Sequence, residues 1–132
     1  MKSGERQWQP VVLQDVPPPV GAYSSGVRAG DFVFISGQVP RDPRTGALIG
    51  DDVESQTRQV LKNVQAVLEA AGATLSDLVA VTVYLQDIGD WGRFNEVYKE
   101  VMPKPYPTRT ALGANLHGFI VEISGIAFLG RR

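Results

Sequence analysis

The sequence predicts an α+β domain: a mixed sheet with two helices on one face and partner copies packed against the other. Three observations carry that expectation. Runs of apolar, largely β-branched residues alternate with two stretches of helical periodicity, in the order strands, helix, strand, helix, strands. A length of 132 residues accommodates one core, since two would each be too small. Two right-handed β-α-β crossovers into one sheet place both helices on the same side and leave the other side bare. Another subunit, packed sheet against sheet about a symmetry axis, is the simplest cover. Pockets then form where loops of different copies meet.

The elements follow in chain order. Residues 1–20 read as an extended lead, with Val11-Val12-Leu13 as a short edge strand and Pro17-Pro18-Pro19 forbidding helix. Gly21 to Gly26 reads as a loop presenting Tyr23, and Arg28-Ala29-Gly30-Asp31 as a turn. Phe32 to Ser36 is a strand apolar on both faces, so both faces should be covered. A turn at Asp42 to Gly46 leads to another expected short strand, Ala47-Leu48-Ile49. The first helix is expected to be capped by Asp51 with Glu54 in capping-box position. Val53, Val60, Leu61, Val64, Val67, Leu68 and Ala71 form its apolar stripe, and Gly72 stops it. Leu78 to Leu85 is a strand with Val79, Val81, Val83 and Leu85 on one face. The second helix runs from about Asp90 to Met102, with Phe94, Val97, Tyr98 and Val101 inward, and Pro103, Pro105 and Pro107 end it. Thr108 to Leu112 and Ile120 to Phe128 close the sheet, joined by a hairpin loop at Asn115 to Gly118. Phe34 or Ile35, Tyr84 and Ile126 are the candidates for the face without helices.

Composition removes several function classes. The net charge of −1 gives no general attraction to phosphate backbones or anionic membranes. The Arg131-Arg132 pair reads as a solvated tail. Cysteine is absent, which excludes thiolate catalysis and cysteine-ligated metals and suits a reducing, cytoplasmic setting. His117 is the single histidine, so a two-histidine metal site or a serine–histidine triad would require an unusual substitute. Neither a signal peptide nor a membrane span is expected, because charged residues and prolines break the first twenty residues.

Two charges interrupt apolar strands and are therefore the chemical candidates. Arg109 follows the stiff Pro105-Tyr106-Pro107 segment and precedes Ala111-Leu112. A guanidinium there either makes a structural ion pair or captures an anion with its two-pronged donor edge. Glu122 sits within Ile120-Val121-Glu122-Ile123. Desolvation there would raise its pKa and fit it for proton transfer, unless it pairs with Arg109 or points outward at an edge. Ser36-Gly37 offers a hydroxyl and backbone N–H groups, or a tight turn. Tyr23 stacks over a pocket mouth or packs its loop, and Asn95 supports a site or caps its helix locally. His117 reads as solvated. Trp8 and Trp91 have no chemistry attached by spacing.

Several segments together resemble the RidA/YjgF reactive-intermediate deaminase family. They are Ala22-Tyr23-Ser24, Phe34-Ile35-Ser36-Gly37-Gln38-Val39-Pro40, Gln56 to Val64, Leu68 to Ala73, Phe94-Asn95-Glu96-Val97-Tyr98, Pro107-Thr108-Arg109-Thr110 and Val121-Glu122-Ile123. The resemblance implies a chorismate-mutase-like fold, a homotrimer with three intersubunit clefts, and no cofactor or metal. It implies hydrolysis of enamines and imines, such as 2-aminoacrylate, to 2-oxo acids and ammonia. By the same resemblance Arg109 holds the substrate carboxylate and Glu122 serves the reacting water, while Tyr23, Ser36, Gly37 and Asn95 bind substrate or support the pocket. Such chemistry needs no nucleophilic cysteine, because a protonated imine carbon already accepts water. This sequence departs from the pattern at Ala111, where many relatives carry Cys, in the short loop 113–118, and at Gly21-Ala22-Tyr23 in place of Gly-Pro-Tyr. Those positions bear on substrate size and rate. Two other activities compete: a trimer that binds small 2-oxo acids without turnover, and RNA cleavage, which the balanced charge disfavours.

Overall fold

A computed structural model describes residues 7–130; Lys2, Glu5 and Arg6 of the lead and the Arg131-Arg132 tail lie outside the described residues. Six strands form one sheet: β1 (Gln9–Val11), β2 (Gly26–Ala29), β3 (Phe32–Gln38), β4 (Leu78–Leu85), β5 (Thr108–Gly113) and β6 (Val121–Phe128). Their spatial order is β1-β2-β3-β6-β4-β5. All neighbours are antiparallel except β4 and β5, which run parallel as the ends of a β-α-β unit. Helices α1 (Val53–Ala70) and α2 (Trp91–Val101) pack against each other, and α1 lies across β3 and β6. Both helices cover one face, as the crossover rule requires.

Apolar alternation decides which residues enter the core. Val33 and Ile35 of β3, Val81, Val83 and Leu85 of β4, and Val121, Ile123 and Ala127 of β6 are buried beneath the helices. They meet Val53, Val60, Leu61, Val64, Val67 and Leu68 of α1 and Phe94 of α2. The opposite face carries Phe34, Tyr84 and Ile126, so of the two alternatives at residues 34 and 35 it is Ile35 that faces the helices. Phe32 packs against Phe128 at a 48° tilt with ring centroids 5.2 Å apart, and both remain accessible on that bare face.

Several local expectations differ from the structure. The cap of α1 is Asp52, not Asp51: its carboxylate accepts from Ser55 N at 2.8 Å, completing a capping box with Ser55. Glu54 instead receives two bonds from Arg93, at 2.9 and 2.7 Å, tying the starts of the helices together. Val79 is 43% exposed, because a register shift between Leu78 and Ala80 brings Leu78 into the core in its place. Ala47-Leu48-Ile49 contributes only an isolated bridge from Leu48 to Arg41. The closing strands do not form a hairpin, since β4 lies between β5 and β6. Strand β2 was unforeseen within the loop and turn around Gly26 to Arg28, although Gly30, at φ 59°, does make the expected turn. Among the described residues no helix is long and apolar enough to cross a membrane.

Candidate functional site

Arg109 enters from β5, paired with Val81 of β4, and therefore points to the helix-covered face. There α2 receives it. Trp91, Phe94, Asn95 and Tyr98 recur at helical spacing on one side of that helix. The guanidinium carbon lies 4.7 Å from the Tyr98 ring centroid, 5.3 Å from Trp91 and 5.8 Å from Phe94. Arg109 Nη1 donates to Asn95 Oδ1 at 2.8 Å. Aromatic faces attract the cation without neutralising it, each partly desolvated contact contributing about 1 kcal/mol. The structural ion pair is thus not formed. The ion pairs made by α2 join Arg93 to Glu54 and Asp90, Lys99 to Glu96, and Glu100 to Arg58, and among the described residues no carboxylate takes Arg109. A recess of about 280 Å³ opens beside it, lined by Asn95, Tyr98, Lys99, Tyr106, Pro107 and Arg109. Its only charged walls are cationic, so it suits an anion.

Glu122 lies on the other side of the sheet. Its neighbours Val121 and Ile123 are buried beneath the helices, so alternation turns Glu122 to the bare face, opposite Tyr84. Burial pushes its carboxyl above the ordinary carboxylate value. The side chain rests against the Gly37 backbone, where a Cβ would stand 2.2 Å from Glu122 Oε2. Gly37 lies within the bulge in β3, and the segment after it is fixed by buried Asn63, whose Nδ2 donates to the carbonyls of Val39 and Arg41, each at 2.9 Å. Ser36 Oγ donates to Ser24 O at 2.6 Å and Ser36 N to Ser25 O at 3.0 Å. Its hydroxyl proton thus fixes the loop that carries Tyr23, whose ring is 56% exposed. Tyr23 and Gly37 line a second recess.

The expected residues therefore form two groups. Arg109 and Asn95 meet on one face; on the other Glu122 rests against Gly37, with Ser36 next to it in β3 holding the loop that carries Tyr23. Two inter-strand spacings and three residues along the strand put the Arg109 and Glu122 Cα atoms on the order of 14 Å apart, with side chains diverging. Intramolecular pairing of the two is excluded. His117 is exposed in the loop before β6, and Leu116 N of that loop donates to Gln86 Oε1 at 2.6 Å. Trp91, Tyr98 and Tyr106 were not foreseen at the site. The spacing of Trp91, Phe94 and Tyr98 around Asn95 was the available signal, but it read equally as core.

A profile of the family described as endoribonuclease L-PSP matches residues 13–129. The chain belongs to that family. A RutC family protein of Pyrococcus horikoshii is 43% identical over 120 residues, covering 89% of this chain and 95% of its own. A protein of Dermatophagoides farinae named 2-iminobutanoate/2-iminopropanoate deaminase is 35% identical, with 74% of this chain and 76% of its own covered. The crystal structure of RidA from an Antarctic Psychrobacter is 37% identical with a TM-score of 0.84, covering 91% of this chain and 98% of the other. The L-PSP family thus includes proteins named imine deaminases, and the RidA/YjgF resemblance and the α+β fold stand.

Proposed function

We propose that the protein hydrolyses small 2-imino acids and their enamine tautomers to 2-oxo acids and ammonia, without a cofactor. The observation that carries this reading is Arg109: a part-buried guanidinium with no carboxylate of its own, held by Asn95 and three aromatic rings beside an open recess. Such an arginine offers its donor edge to a substrate carboxylate. Water then adds to the iminium carbon and gives a proton to Glu122. The resulting carbinolamine receives a proton on nitrogen; its hydroxyl then gives up its own proton as the C–N bond breaks, releasing ammonia and leaving the carbonyl. An enamine must first gain a proton at its β-carbon. A carboxyl raised by burial exchanges protons nearer neutrality than an exposed one, which favours both transfers.

Because Arg109 and Glu122 occupy opposite faces of the sheet, the complete site joins Arg109 of one copy to Glu122 of another. A homotrimer with three such clefts satisfies this and covers Phe32, Phe34 and Phe128 as well. The test is pyruvate formation from 2-aminoacrylate generated in the cuvette, with and without the protein. Acceleration by the wild type and its loss in Arg109→Ala, at unchanged sedimentation, is the expected result. Equal rates with and without wild type across several imino acids would sink the proposal, and saturable binding without turnover would favour a ligand-sensing role instead. Cleavage of RNA abolished by Arg109→Ala would redirect the reading to a nuclease.

A further inference from the structure

Tyr98 presents a group that the scheme above leaves unused. The residue is 3% exposed, and its hydroxyl is a buried polar atom with no hydrogen-bond partner among the described residues. An unsatisfied buried hydroxyl is uncommon and destabilising, so it calls for a cause. Its surroundings supply one. The ring lies under the Arg109 guanidinium, 4.7 Å from its carbon, and packs at a 40° tilt against Phe94, centroids 5.5 Å apart. Tyr98 and Arg109 line the same recess, together with Tyr106. Asn95 accepts one guanidinium N–H through Oδ1, which leaves further donors of Arg109 for whatever enters.

From this arrangement, and resting on the carboxylate-capture reading, we infer that the Tyr98 hydroxyl is a second donor to the carboxylate that Arg109 holds. The guanidinium supplies the charge and two coplanar donors, and the phenol supplies a third from beneath. Tyr98 and Arg109 wall the same recess, and the guanidinium lies over the Tyr98 ring, which places the phenol beside the carboxylate that Arg109 engages. The ligand class is a small monocarboxylate bearing an sp² carbon beside the carboxyl group. Burial pushes the phenol above its ordinary value, against the pull of Arg109, so it stays protonated and able to donate. Asn95, by contrast, presents its carbonyl to Arg109 and so orients the cation without itself binding an anion through that atom.

The hydroxyl thus trades stability of the free protein for affinity, which gives the experiment two opposed readouts. Calorimetric titration of the assembled protein with pyruvate compares wild type with Tyr98→Phe, and thermal unfolding is followed without ligand. The Phe variant keeps the ring and removes only the unpaired hydroxyl, so its midpoint without ligand should equal or exceed that of wild type. Its pyruvate affinity should fall roughly tenfold, as expected for loss of one hydrogen bond to a charged group. Undiminished affinity in Tyr98→Phe, with wild type binding normally, overturns the inference and leaves the deaminase reading intact. Binding by wild type without imine turnover removes the deaminase reading while the Tyr98 comparison still decides. Failure of wild type to bind pyruvate or 2-oxobutanoate overturns both.

Discussion

Replacing Gly37 by alanine asks how closely the reacting water depends on the position of Glu122. The added Cβ would stand 2.2 Å from Oε2, 2.8 Å from Cδ and 3.1 Å from Cγ of Glu122, whereas ordinary contact begins at 3.4 Å. The backbone at Gly37 is not in the left-handed region, so alanine introduces no strain of its own and the collision falls on the carboxylate. Glu122 must therefore withdraw by at least about 1 Å, and a displacement of that size at a reacting group costs on the order of 100-fold in rate. The fall should appear in kcat for 2-aminoacrylate hydrolysis, measured as pyruvate formed with a coupled dehydrogenase. KM should change little, because in the proposed site the carboxylate is held by Arg109 of a neighbouring copy, which the substitution does not touch. Unfolding midpoint and sedimentation should stay near wild type. A Gly37→Ala protein that folds and assembles normally and retains wild-type kcat would refute the placement of Glu122 at the chemistry.

Other consequences can be measured directly. The folded state raises the Glu122 pKa, so it favours the protonated carboxyl and loses stability as pH rises through that value. Glu122→Gln should accordingly be more stable than wild type at neutral pH, with the difference shrinking as pH falls through the raised value toward the ordinary carboxylate value and levelling off below it; urea midpoints across that range check it. Asn63→Ala deprives the carbonyls of Val39 and Arg41 of a buried donor and should lower stability by roughly 2–4 kcal/mol in urea titration. It should also reduce turnover, because that amide fixes the chain just after Gly37. Trp91 stacks on Arg109 at 5.3 Å, so in a Trp8→Phe background pyruvate should change the remaining tryptophan emission, and Arg109→Ala should abolish the response.

The helices and the core strands were legible because each follows one period over many residues. The stripe from Val53 to Leu68 and the alternation of Val81, Val83 and Leu85 can satisfy only one geometry apiece. Short or irregular elements were not. Strand β2 contains glycine and arginine in four residues and exists because β1 and β3 flank it, a tertiary cause that no local pattern encodes. Val79 looked like a core residue until the bulge in β4 moved it outward. At the site, Arg109 and Glu122 stood out as charges within apolar strands, since a charge there requires a reason. What surrounds them was hidden. An aromatic residue facing a buried cation and one facing a neighbouring leucine have the same helical spacing, so Trp91 and Tyr98 could not be told from packing.

The strand parity that separates Arg109 from Glu122 also explains why each looks incomplete within one chain. If the two shared a face, mutual neutralisation would be the cheapest outcome: the carboxyl would lose its upward shift and the guanidinium its vacancy for an anion. Placing them on opposite sides of β4 prevents that pairing during folding. Each charge is instead managed locally and incompletely, Arg109 by neutral Asn95 and aromatic faces, Glu122 by partial burial against Gly37. Assembly would then bring together a cation and an acid that had no earlier opportunity to cancel, with the substrate carboxylate and a water between them. On this argument, moving the arginine one residue along β5, by Arg109→Thr with Thr110→Arg, turns the guanidinium to the bare face with Glu122. That double variant should lose imine hydrolysis even though both charges remain in the chain, and survival of activity in it would break the argument.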